Sequence, residues 1–423
     1  MKKSYLLIGA CAFVAGLALA AVTITRESWN VYKGSAIIKP RVDYANQAEC
    51  LKAGASQPDG AYRCVGTVPF MNVTPVPVPV VDPIPVPTVP PPVTPPASAP
   101  TPMPVNPFVV VDLALTPNLA KLQRPVGGWS ADMLLKTSEV APASDIGAFR
   151  TGCQVAKFAN DDPIVYPGQP GKSHPHTFFG NTGVDAFSTA ASLATTGNST
   201  CRGGTINRSA YWVPSMVDTA TGGLLAPMFE SNFYYKTGYA LPPSVITAMP
   251  PGLRMIAGDA GGNPSAPSQA VIYACVWDGG NSNWQKSIPD CPVKGTSWLI
   301  MGVDFPQCWD GVNLDSPDHK SHMANPVNVK ANNTGNCPAD HPVAIPAIAF
   351  QILYQVKVSG ETTKWRLASD KYDASQPAGY SGHGDWFNGW KPEIVDVWVQ
   401  KCDREQKDCH SHLLGDGRMM VIP

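Results

Sequence analysis

Between Pro69 and Pro107 the chain alternates proline with valine, as in Pro75-Val-Pro-Val-Pro-Val-Val and Pro90-Pro-Pro-Val-Thr-Pro-Pro, and no other stretch limits the fold as much. Proline has no backbone donor and a fixed φ, so such a segment favours an extended polyproline II rod over a packed core. At about 3.1 Å per residue it is a spacer able to hold the downstream domain on the order of 100 Å from the N-terminal part. The chain is thus expected to divide into a leader over residues 1–20, a small module over 21–68 stapled by Cys50 and Cys64, the linker over 69–107, and a main domain over 108–423.

The leader sets the compartment. Lys2 and Lys3 precede an uncharged apolar run from Tyr5 to Ala21, and Ala18-Leu-Ala20 has the small residues of a signal-peptidase site. Cleavage makes the protein secreted, periplasmic or displayed at the cell surface; the same run is also long enough to remain as a single N-terminal membrane anchor. Beyond Cys11 lie ten cysteines, an even number that fits an oxidising compartment. Nearest-neighbour pairing is expected: Cys50–Cys64, Cys153–Cys201, Cys275–Cys291, Cys308–Cys337 and Cys402–Cys409. No CxxC occurs, which disfavours a zinc ribbon or a redox dithiol. A net charge of −1 with 15% charged residues leaves no electrostatic footprint for nucleic acid.

Residues 108–423 read mostly as strands. From Ile345 to Val358 apolar residues alternate with mixed ones, the pattern of a half-buried strand. Ala270–Trp277, Ser297–Phe305 and Leu253–Ala257 are apolar runs of strand length. Pro243–Met249 suits a helical turn or two, and Pro392–Lys401 can be helix or strand, since Pro392 fits a first turn while Val395, Val397 and Val399 alternate. Many short strands with Gly/Pro-rich connections argue for a mainly β fold, a β-sandwich or jelly-roll-like domain with long loops.

The histidines carry the chemistry. Ser173–Asn181 places His174 and His176 two residues apart, so an extended backbone turns both to one face. Two neutral imidazoles there suit a divalent metal or proton transfer; the plain alternative is a pair of hydrogen-bonded histidines beside Phe178 and Phe179. Six of the eight histidines lie in that segment or in Asp315–His322, Pro338–Pro342 and Gly382–Trp386, where an aspartate is adjacent or two residues away and can orient a ring. The spacing matches no HExxH signature. Asp310, Asn313, Asp315 and Asp318 offer a calcium ligand set without EF-hand spacing, against turn-capping aspartates in a pinned loop. Trp386, Phe387 and Trp390 are either a sugar platform or core.

These blocks, with Asp162–Gly168, Tyr211–Pro214, Gly252–Asp259 and Cys308–His322, resemble the domain-of-unknown-function family 1996 over about residues 150–402. The resemblance implies an exported domain and supplies no reaction.

Three function classes remain. The first is an enzyme, a hydrolase or lyase acting on a cell-wall or extracellular polysaccharide, with His174, His176, His319, Asp318, His383 and Asp385 as the acid/base set. The second is a carbohydrate- or surface-binding module on a stalk, its partner a polysaccharide or cell-surface glycan. The third is a metal-sequestering protein in which His174, His176, His322 and His383 hold zinc or copper, calcium being the ion for the oxygen ligands of the 310–318 loop. The sharpest expectation is that His174, His176 and at least one of His319, His322 and His383 meet in one pocket with Asp318 or Asp385.

Overall fold

The computed structural model describes residues 127–422 and, nearer the N-terminus, the backbone of five short strands. Leu6–Ile8 pairs antiparallel with Ala21–Thr23, and Ala36–Tyr44, Glu27–Lys33 and Tyr62–Gly66 form an antiparallel sheet in that order. The Cys50–Cys64 pair, the cleavage point and the proline–valine spacer lie outside the described residues. The chain separates into two compact units, Thr25–Val109 and the remainder. No helix among the described residues is long and apolar enough to cross a membrane.

Two antiparallel sheets dominate the larger unit. The first has seven strands in the order Gly280–Asn281, Val271–Trp277, Ser297–Asp304, Ala347–Val356, Ser231–Lys236, Ala148–Cys153 and Asp408–Cys409, only the last pair being parallel. Ala347–Val356 fills the segment expected to be a strand, but it is buried on both faces rather than one. Its central position leaves only Gln355 exposed, and its polar Gln351 accepts from the Tyr234 hydroxyl at 3.2 Å.

The second sheet has five strands in the order Arg254–Gly258, His383–Phe387, Ala210–Pro214, His176–Gly180 and Val155–Ala159. Strand alternation sorts its side chains. Phe179, Tyr211 and Trp386 occupy one face and pack on the seven-stranded sheet, with ring centroids 4.2 Å apart for Tyr211 and Phe233, 5.3 Å for Phe179 and Phe233, and 6.2 Å for Tyr235 and Trp386. Each such ring contributes roughly 1.5–3 kcal/mol of burial. The other face carries Phe178, Trp212 and Phe387, which join Ile164, Val184 and Leu193 in a second small core. The domain is therefore a mainly β sandwich, and no sheet among the described residues closes into a barrel.

Pro392–Trp398 is an α-helix that runs on as π-helix over Val399–Arg404. Its buried residues Ile394, Val395, Trp398 and Val399 follow helical spacing, so the valine alternation reflects no strand. Pro243–Val245 is one 3-10 turn. Four disulfides, Cys153–Cys201, Cys275–Cys291, Cys308–Cys337 and Cys402–Cys409, join nearest neighbours as expected and fit an exported protein.

Candidate functional site

The face of the five-stranded sheet turned away from its partner sheet also carries polar residues, among them His176, His383 and Asp385. His176 and His383 each open a strand, and Ala210–Pro214 runs between those strands. His176 pairs with Pro214, and the ladder that sets Trp212 against Asp385 brings the same proline alongside His383 when carried two residues further. The two imidazoles thus come from strands on either side of Ala210–Pro214. Their Nε2 atoms are 3.4 Å apart. His174, just ahead of the strand, completes the group with ring centroids 4.3 Å from His176 and 5.1 Å from His383. One nitrogen from each of the three lies within 4.8 Å of the others.

The hydrogen bonds fix the tautomers of two rings. His176 Nδ1 is 3.0 Å from the carbonyl oxygen of Asp161, and His383 Nδ1 is 2.8 Å from that of Ser381. A carbonyl only accepts, so both Nδ1 atoms carry the proton and both Nε2 atoms present lone pairs. Protonation offers no relief. Burial, joined by His176 in the case of His383, lowers the pKa of both to about 4, and burial with the two neighbouring rings pushes His174 lower still. The site holds three neutral imidazoles, two of them with lone pairs turned inward, and His174 Nε2 is buried without a hydrogen-bond partner.

Asp385 lies 3.8 Å from His383 Nε2, too far for a hydrogen bond, and both its oxygens are buried and unpartnered. Burial and the proximity of Asp162 raise its pKa well above the usual carboxylate range, so it does not form an ion pair with the neutral His383. Asp162 is itself 4% exposed, accepts from the amides of Ile164 and Val165 at 2.9 Å each, and is raised by burial against those bonds. Sequence reasoning does not mark Asp161, Asp162 or Ser381 as site residues; the only signal for them is that Asp161-Asp162 is a doubled acid ahead of the histidine pair.

The loop 310–322 behaves differently from its expected role. His322, expected as a ligand, is buried with both nitrogens engaged, Nδ1 by Ser316 Oγ at 2.9 Å and Nε2 by the Arg254 carbonyl at 2.7 Å. His319 Nδ1 is 3.0 Å from Asp315, which also meets Arg254 at 3.3 Å. Asp318, expected in the acid/base set, is a turn cap: Ser321 N, Ser316 Oγ, Ser321 Oγ and Lys320 N donate to it and hold its pKa below the ordinary value. Asp310 likewise accepts from Val312 N, Asn313 N and Asn313 Nδ2. Asp310 and Asp318 are thus committed to the loop's own turns, and Asp315 to His319 and Arg254. The loop still touches the site's edge, since Lys320 Nζ donates to the Gly258 carbonyl at 2.7 Å.

Trp386, Phe387 and Trp390 are core, at most 2% exposed, and offer no sugar platform. Two surface cavities, about 310 Å³ beside Asp218 and Lys364 and about 210 Å³ beside Gly252 and Lys391, contain no histidine. A family model described as a domain of unknown function (DUF1996) matches residues 162–390, a span that includes the three converging histidines and Asp385. No curated protein and no solved structure matches the chain.

Proposed function

The chain belongs to the DUF1996 family, whose name assigns no reaction, and from the geometry of the site we propose that it is an exported metal-binding protein that holds a divalent transition metal on His174, His176 and His383. The observation that carries the proposal is the 3.4 Å separation of two Nε2 lone pairs whose Nδ1 protons are pinned to carbonyl oxygens. Two acceptors facing each other in a buried site repel unless a cation lies between them. Nitrogens bound tetrahedrally to zinc at about 2.0–2.1 Å are roughly 3.3–3.4 Å apart, the separation found here. The carbonyls behind each ring are the outer partners that metal-bound histidines usually have.

All-nitrogen ligation favours zinc or copper over calcium, which takes oxygen ligands. Asp385, kept protonated by burial and by Asp162, would give up its proton beside a bound cation and so supply a negative charge there. The site's burial and the core position of its neighbouring aromatics favour holding a metal over working on a polymer, so the proposal attaches no polysaccharide to this cluster. Elemental analysis of the purified protein, with calorimetric titration of zinc and copper into metal-stripped protein, tests it. One bound ion per chain is expected, and a protein that carries no metal and binds neither ion at micromolar concentration would overturn it.

A further inference from the structure

The outer face of the seven-stranded sheet holds a second polar cluster that shares no residue with the histidine site. Arg150 pairs directly with Tyr234 where Ala148–Cys153 meets Ser231–Lys236. Phe149 and Tyr235 point the other way into the core, so Arg150, Tyr234 and Lys236 lie together on the outer face. Lys236 Nζ is 4.4 Å and the Arg150 guanidinium carbon 6.0 Å from the centre of the Tyr234 ring, and the His410 ring meets that ring edge-on at 5.3 Å.

The neighbouring carboxylates are already paired. Glu230, which lies across Gly152, accepts from Arg202 at 2.7 and 3.0 Å, and Asp408 is 2.8 Å from His410 Nδ1. Half-buried His412 lies behind, its pKa pushed far down by burial and by Arg202 and Arg150. Three fixed cations therefore face two carboxylates, and Arg150 and Lys236 form no ion pair among the described residues. Arg150 Nε and His410 Nε2 are both buried without a hydrogen-bond partner. A desolvated guanidinium N–H with no acceptor is costly, and an anion removes that cost through a charge-assisted bond.

We propose that this cluster is a binding site for a tetrahedral oxyanion, a sulfate or phosphate group either free or esterified on a glycan, held by Arg150 and Lys236 beside His410. Donors arranged around one ring from different directions suit a tetrahedral group better than a planar carboxylate, and the guanidinium fork gives two parallel bonds to its oxygens.

The test is calorimetric titration of the full chain with inorganic sulfate, inorganic phosphate and dextran sulfate, repeated on Arg150→Gln and Lys236→Gln. Saturable binding that falls at least tenfold in the variants supports the site. Binding of the inorganic ions identifies a free-ion site, and binding of dextran sulfate alone identifies an esterified group. Should Arg150→Gln fail to fold, Lys236→Gln decides. No saturable binding of any probe, or binding that a folded variant keeps unchanged, overturns the proposal.

Discussion

His176 Nε2 and His383 Nε2 are 3.4 Å apart across 207 residues of sequence. What brings them together is a strand, Ala210–Pro214, that pairs with both of theirs. Both rings are turned by backbone carbonyls so that neither can place a hydrogen in the gap.

Replacing either ring should abolish metal retention. His176→Ala and His383→Ala are each expected to weaken zinc binding by more than about 100-fold, since even an outer partner of a metal ligand is worth about 10–100-fold. Equilibrium dialysis of metal-stripped protein measures this, with circular dichroism to confirm folding. A variant that binds like the parent would remove that histidine from the site.

His322→Ala should do the opposite. Its nitrogens meet Ser316 Oγ and the Arg254 carbonyl, so its loss is expected to leave metal affinity nearly unchanged while costing about 1–3 kcal/mol of stability. Chemical denaturation and dialysis on one preparation separate the two effects.

Gly258 positions His383 through the backbone. It pairs with His383, has φ of +100°, and a Cβ there would lie 2.3 Å from the Gly382 carbonyl oxygen and 2.6 Å from His383 Cα. Gly258→Ala is expected to cost roughly 1–3 kcal/mol from backbone strain alone and to weaken metal binding at least about tenfold. Unchanged affinity would show that the site tolerates a shift of this strand.

Asp403, in the π-helical segment, is buried with both oxygens unpartnered, and burial raises its pKa well above the ordinary value. Over the interval from the unfolded pKa of 3.8 up to the raised folded one, the folded state binds the extra proton, so this group's stabilising contribution is complete at low pH and is lost as pH rises. Asp403→Asn is therefore expected to raise stability at pH 7 relative to the parent, with the difference shrinking as pH falls towards 4. Denaturation at several pH values checks it, and an equal difference at every pH would contradict it.

The sequence by itself settled what depends on neighbours along the chain. Alternation over residues 345–358 was enough to locate a strand, because side chains two apart always share a face. Cysteine order was enough for four disulfides, each of which closes on its nearest neighbour. The spacing of His174 and His176 was enough to mark two of the three histidines that converge. Which distant histidine completes it was not legible: His319, His322 and His383 each had an aspartate close by, and nothing local ranks them. That choice rests on the register among His176–Gly180, Ala210–Pro214 and His383–Phe387, and a slip of one residue would have turned His383 into the core. The structure likewise assigned Asp318 and Asp310 to turns and His322 to a carbonyl, because backbone donors and acceptors in a folded loop take the nearest partners first.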